Sequence, residues 1–211
     1  MMQNAKTISR RNIVISGAIA GFAGAIGLPS LQKRALAEYS SDMTDELSIL
    51  NNALYYEHQA IWAYSFAAGK LSDSEVGKAV LAIALANQAD HKQHRDALAA
   101  AVKSLGGMPV SPESSYDVSS YLDKGEGGLD SDVNIAKLAL ALETDAAIAY
   151  TMEIAKLKTP ALITAGASIG STESAHAASI RAAFVSLGVK IKPVPAAFVS
   201  AENRDAWVLK V

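Results

Sequence analysis

The sequence contains no cysteine, which excludes disulfides, thiolate metal sites and thiol nucleophiles. Aromatic residues make up only 6% of its 211 residues, while hydrophobic residues of all kinds reach 50%. A core with few rings and much alanine calls for closely packed helices. The length suits one domain with a sizeable core. Acid is absent from the first 37 residues, which hold the bases Lys6, Arg10, Arg11, Lys33 and Arg34. Beyond residue 37 base is scarce. There, 14 Lys and Arg face 21 Asp and Glu, with no basic patch, which is the wrong balance for a nucleic-acid partner. A long hydrophobic run is also lacking. The uncharged stretch Ile13–Leu28 has 16 residues, short of the roughly 20 that span a bilayer.

What is present falls into three parts. Residues 1–37 read as a signal: Ser9-Arg10-Arg11-Asn12-Ile13-Val14 resembles the twin-arginine motif, and Ala35-Leu36-Ala37 offers a small-x-small cleavage site. The expectation is export by the twin-arginine machinery to the periplasm or cell envelope, with a mature start at Glu38. An uncleaved membrane anchor is the alternative. Residues 38–188 carry four helical patterns, and 189–211 form a tail, either a strap or an interface segment.

Steps of three and four place one face of each helix inward. The first helix, expected from about Asp42 to Ala68, gives Leu47, Leu50, Leu54, Glu57, Ile61, Tyr64 and Ala68. The second opens on Ser72-Asp-Ser-Glu75, which reads as a capping box, and gives Val80, Ala84, Asn87, His91, His94, Leu98, Ala101 and Leu105. The third, Ser131 to Lys158, gives Ala136, Leu140, Glu143, Ala147, Tyr150, Ile154 and Leu157. The fourth, capped by Thr159-Pro160, gives Leu162, Gly166, Ile169, Glu173, His176, Ile180, Ala183 and Leu187. The turn-rich stretch 108–130 is long enough for a crossover along the bundle.

The two helix pairs repeat. Glu57, Tyr64 and Leu71 fall on Glu143, Tyr150 and Leu157, and His91-x-x-His94 falls on Glu173-x-x-His176. Two similar hairpins joined by a crossover imply an all-α, antiparallel four-helix bundle of pseudo-twofold symmetry. All four seams break polarity at the level where they would meet. A carboxylate on an apolar seam is costly unless a cation or donor satisfies it. Three carboxylates and three imidazoles converging in one apolar bundle point to a metal site. A metal-free hydrogen-bond network is the other reading. Tyr64 and Tyr150 are core aromatics whose hydroxyls need partners. His58, Asp90 and Asp145 fall off the seams and are expected in solvent.

The pattern resembles the ferritin-like superfamily of di-iron and di-manganese carboxylate bundles, most closely its exported bacterial members. There, two helices each give a Glu and two give Glu-x-x-His. The resemblance spans about residues 42–188 and implies that Glu57, His91, His94, Glu143, Glu173 and His176 hold two metal ions, iron or manganese. It implies oxidation of ferrous iron or reduction of peroxide, with O₂ or hydrogen peroxide as oxidant and Tyr64 or Tyr150 as electron donor. A homo-oligomer is among the states the sequence leaves open. His91 departs from the pattern, which has a bridging glutamate there. With histidine read as unable to bridge as a carboxylate does, three outcomes stay open. Glu173 is the sole bridge, or one metal is held weakly, or the site prefers zinc or copper. Zinc or a single metal would suit a non-catalytic, stress-protective bundle.

Overall fold

The computed structural model describes residues 29–211, with side chains from residue 43 onward. The twin-arginine stretch and the run Ile13–Leu28 lie outside the described residues. Four long helices, α1 (Pro29–Ala68), α2 (Glu75–Ser104), α4 (Asp132–Ile154) and α5 (Pro160–Ser186), pack antiparallel. A short α3 (Ser119–Asp123) sits in the crossover. A 3₁₀ turn (Ala201–Asn203) and α6 (Arg204–Trp207) end the chain. The tightest pairings are α1 with α2 and α4 with α5, the two hairpins of the repeat. No helix among the described residues is long and apolar enough to cross a membrane.

Helix α1 is described from Pro29, well ahead of Asp42. No glycine or further proline interrupts the chain between Pro29 and Gly69. The second cap is also displaced. The capping residue of α2 is Ser74, whose hydroxyl accepts from the Gly77 amide at 2.9 Å. Ser72 instead donates its amide and hydroxyl to Asp132 in the first turn of α4, at 2.8 and 2.6 Å. A tertiary carboxylate has taken the place of a local capping box. Helix α4 stops at Ile154, short of Lys158.

Helix α5 starts at Pro160 behind Thr159, as its sequence requires, but the Thr159 side chain does not cap it. Buried Glu46 of α1 accepts the amides of Lys158 and Thr159 at 2.8 and 2.7 Å and the Thr159 hydroxyl at 2.8 Å. An anion at a helix start satisfies free N–H groups and the helix dipole together. The glycines of α5 serve close approach. A Cβ on Gly170 would stand 3.0 Å from Tyr150 Cβ, and one on Gly166 would stand 3.0 Å from Ile154. Spacing too tight for a Cβ here brings α5 onto α4 beside the polar layer.

The crossover packs along α1. Asn51 donates to the Met108 carbonyl and accepts the Val110 amide, and Tyr116 is buried edge-on against Tyr55 with ring centroids 5.2 Å apart. The tail is a strap. Arg204 grips Glu126 with two hydrogen bonds of 2.7 Å and Asp145 with bonds of 2.6 and 3.0 Å. Buried Trp207 joins Phe184, Ile180 and Leu140 in one of two core clusters, and Arg181 donates to the Trp207 and Lys192 carbonyls. The other cluster, Leu50, Leu54, Leu98, Val102, Leu162 and Ile169, joins α1, α2 and α5. The polar layer falls between the two.

Candidate metal centre

The helical period that buries Leu50 and Leu54 on α1 brings Glu57 and Tyr64 inward on the same face. The equivalent positions of the other helices deliver His91 and His94, Glu143 and Tyr150, and Glu173 and His176. All but half-buried His94 and Tyr150 are buried. The structure gathers the six seam residues, the candidate ligands, into two overlapping groups that could hold a metal. Glu57, His91, His94 and Glu173 form one, and His91, Glu143, Glu173 and His176 form the other. Within each, one donor atom per residue lies within 4.8 Å of the others.

The two groups share Glu173 and His91, and each shared side chain divides its atoms between them. Glu173 Oε1 lies 2.9 Å from His94 Nδ1, and Oε2 lies 3.3 Å from His176 Nδ1. His91 Nδ1 lies 2.8 Å from Glu57 Oε2, and Nε2 lies 3.2 Å from Glu143 Oε1. His176 Nδ1 is also 3.2 Å from Glu143 Oε2.

The test of fit for a cation is at Glu173 and His94. Both Glu173 oxygens and His94 Nδ1 are buried with no hydrogen-bond partner, although Oε1 and Nδ1 are only 2.9 Å apart. They are close but out of line for a hydrogen bond. Two ligand atoms bound to one ion at about 2.0–2.2 Å stand about 3 Å apart, which is this spacing. The carboxylate and imidazole donors also suit a divalent transition metal. The donor set therefore fits metal.

The side chains hold each other's protons in a consistent pattern. Burial alone would raise the Glu57 and Glu143 carboxyls. Contacts with His91 and His94, and with His91 and His176, outweigh it and hold both below the usual range. Burial would lower the histidines, yet the facing carboxylates push His94 up to about 9 and His176 up to about 10, and His91 rises as well. Glu173 moves the other way, raised first by burial. Cations are thus favoured throughout the layer, and a metal competes with these protons for the same lone pairs.

A ring of further contacts orients the ligands. Tyr64 donates to Glu143 Oε1, and Tyr150 donates to Glu57 Oε1 at 2.5 Å. Each tyrosine serves the carboxylate of the other hairpin. Burial, then the adjacent carboxylate, pushes both phenols well up, so they keep their protons. Two contributors were not legible as such. Asn87, buried on the α2 seam a turn before His91, donates to the Tyr64 hydroxyl at 3.0 Å. Asp90 Oδ2 lies 3.2 Å from His176 Nε2, which leaves Nδ1 facing the centre. Asp90 and Asp145 keep part of their side chains in solvent, as their off-seam places imply, yet each also contacts a neighbouring element, and the His58 ring reaches the Val110 carbonyl at 3.3 Å. Gln88, one turn from His91, donates to the Ile61 carbonyl and Ser65 hydroxyl and is not a substitute ligand.

A cavity of about 430 Å³ opens between α1 and α4 and ends on the layer, touching Glu57, Tyr64, His91, Glu143 and Tyr150. Its walls are mostly alanine and aliphatic side chains, among them Ala53, Ala60, Ala63, Ala146 and Ala149.

No curated protein matches the chain. Among solved structures, it is similar to a conserved hypothetical protein of Mycobacterium tuberculosis, with a TM-score of 0.55 and 18% identity. The match covers 65% of this chain and 96% of that one, and it supports the fold alone. The family model described as a ferritin-like domain matches residues 45–186, which take in α1 from residue 45 onward, all of α2, α4 and α5, and all six candidate ligands. With most of its length inside that match, and a plausible dinuclear metal site at the centre of the bundle, the chain belongs to the ferritin-like domain family.

Proposed function

We propose that this protein is an exported, metal-dependent oxidoreductase of ferroxidase or peroxidase type. It would work in the periplasm or cell envelope after transport by the twin-arginine route. The observation that carries the reading is the pair of four-residue groups sharing Glu173 and His91, with a tyrosine hydroxyl on a carboxylate of each group. Glu57 and His94 would hold one ion and Glu143 and His176 the other. Iron or manganese bound there would supply one-electron chemistry toward dioxygen or hydrogen peroxide.

The chain's own side chains do the rest. The apolar cavity gives a small oxidant a route to the layer and keeps bulk water from it. Tyr64 and Tyr150 lie where a phenol can give an electron to the dioxygen or peroxide being reduced while its proton passes to Glu143 Oε1 or Glu57 Oε1. Asn87 holds the Tyr64 oxygen in place for that transfer. Asp90 fixes the ring of His176.

Elemental analysis of residues 38–211 from the exported fraction, purified without chelators, tests the centre. Oxygen or peroxide consumption on adding ferrous iron tests the turnover. Two iron or manganese ions per chain with consumption is the expected result. Stoichiometric metal without consumption would end the oxidoreductase reading.

One observation favours a second reading. Three of the six ligands are imidazoles, a set that suits zinc at least as well as iron. In that case the ion, zinc or a single metal, stabilises a stress-protective bundle by binding only its folded form.

A further inference from the structure

We infer that the cavity between α1 and α4 is a binding channel for a long, unbranched, uncharged aliphatic molecule, of the chemical class of a fatty alcohol. This site goes beyond the oxidoreductase reading. It needs the channel alone, whether or not metal occupies the layer.

Four observations carry it. The first is that the space is propped open. Ala53, Ala60 and Ala63 line it on the α1 side, and Ala146 and Ala149 on the α4 side, so neither helix fills the gap. Tyr64 reaches Glu143 and Tyr150 reaches Glu57, and these phenol–carboxylate pairs span from one helix to the other and keep them apart. Protein interiors otherwise pack to the density of a crystal, and an apolar void that stays open is dry and takes apolar guests.

The second is shape. The lining runs along α1 from Ile49 to Ala67, a helical length of about 27 Å. A volume of about 430 Å³ spread over that length averages about 16 Å² in section. That is the width of one extended hydrocarbon chain, and a fused ring system does not fit.

The third is charge. Among the described residues that line the channel, Glu57, Glu143, Asp145 and Glu153 are acidic and none is lysine or arginine. A ligand carboxylate or phosphate finds no cation there. Each acid already has a basic partner, His91 for Glu57 and Glu143, Arg204 for Asp145 and Lys156 for Glu153. A ligand ammonium therefore finds no free anion. A charged head group would enter unpaired, at a cost that an uncharged one does not bear. The fourth is the mouth. Tyr56, Phe66 and Met152 line the channel and are also exposed, so apolar surface leads inward from solvent.

Isothermal titration of the protein purified from the exported fraction tests the channel, with decanol, decanoate, decylamine and pyrenemethanol as probes. The expected result is saturable binding of decanol with a negative heat-capacity change, about tenfold or more tighter than any of the other three. Equal affinity for decanoate or decylamine would overturn the uncharged ligand class. Equal affinity for pyrenemethanol, a fused-ring alcohol, would overturn the single-chain shape. No binding of decanol would overturn the site. Sedimentation of the same samples checks the other occupant: a dimer that takes up no decanol would assign this face to a second copy of the chain and overturn the channel. Ala60→Leu combined with Ala146→Leu should fill the space, weaken decanol about tenfold or more and leave Tm no lower than wild type. Unchanged decanol affinity in that variant would place the alcohol elsewhere and overturn the assignment. Should the variant fail to fold, the four probes on the wild type decide the matter alone. Metal content measured on the same samples stands or falls separately, so failure of the channel and failure of the metal centre are told apart.

Discussion

Glu173→Gln should separate the metal-bound state from the metal-free one by opposite effects on stability. In the metal-free protein Glu173 is buried with neither oxygen hydrogen-bonded, and burial raises its proton affinity. Each unsatisfied buried polar atom costs about 1–3 kcal/mol. Glutamine matches the protonated acid in shape and carries no charge to desolvate. Relief of even one oxygen's cost makes the chelated variant more stable by about 2 kcal/mol. In a chain of this size 1 kcal/mol moves Tm by about 2–4 °C, so Tm should rise by about 4–8 °C. Metal reverses the order. At a thousandfold excess over Kd an ion that binds only the folded state adds about 4 kcal/mol to the wild type. The variant, lacking the shared carboxylate, should show less than half of that gain. Thermal unfolding of both proteins, in chelator and in saturating zinc, measures all four values. A chelated variant less stable than wild type by 2 kcal/mol or more, with an undiminished response to zinc, would refute the reasoning. Glu173 would then be an ordinary structural residue.

Glu46→Ala removes the acceptor for two amides and a hydroxyl at the start of α5 and should cost about 3 kcal/mol, read as a shift in denaturant midpoint at constant m value. Tyr64→Phe and Tyr150→Phe should each cost about 1.5–3 kcal/mol, one charge-assisted hydrogen bond. Both should leave metal content at the wild-type value and slow oxygen or peroxide consumption at least tenfold, so equal rates in stopped-flow would remove the tyrosines from the reaction. Arg204→Met should free the strap and expose Trp207, seen as a red shift in its fluorescence. The Arg204 guanidinium holds the Glu126 carboxyl below its ordinary range, so the stability this pair contributes is present above about pH 4.5 and is lost as pH falls through the lowered value. The same red shift should therefore appear in wild type on acidification, and a strap that stays docked to pH 2 would contradict it.

The bundle and its six inward polar residues were legible because both depend on the helical period alone. A residue that must face the core recurs every three or four positions, and the repeat fixes which seams meet. Features set by tertiary contact were not legible. Ser72 looks like a cap from its local spacing with Glu75, yet Asp132, distant in sequence, takes it away. Glu46 looks like a dipole-stabilising residue of a first turn, yet it caps a different helix. Asp90 and Asp145 lie off the seam, and each finds a partner on another element, His176 of α5 and Arg204 of the strap. A seam argument reads only the face a helix turns inward, and these groups act across its flanks.

The pairing of tyrosines with carboxylates shows why the duplication matters to the chemistry. Tyr64 shares α1 with Glu57, and Tyr150 shares α4 with Glu143, but each hydroxyl crosses to the carboxylate of the other hairpin. A side chain seven residues along a helix stands about 10 Å from its predecessor, too far for a hydrogen bond. The antiparallel partner helix brings its own carboxylate to that height. The exchange is therefore forced by the spacing of Glu and Tyr within each repeat and by the twofold relation between repeats. It ties α1 to α4, two helices that otherwise touch little because the apolar cavity lies between them. The same two hydrogen bonds thus close the bundle across the open side of the centre and place a phenol on a carboxylate of each ligand group.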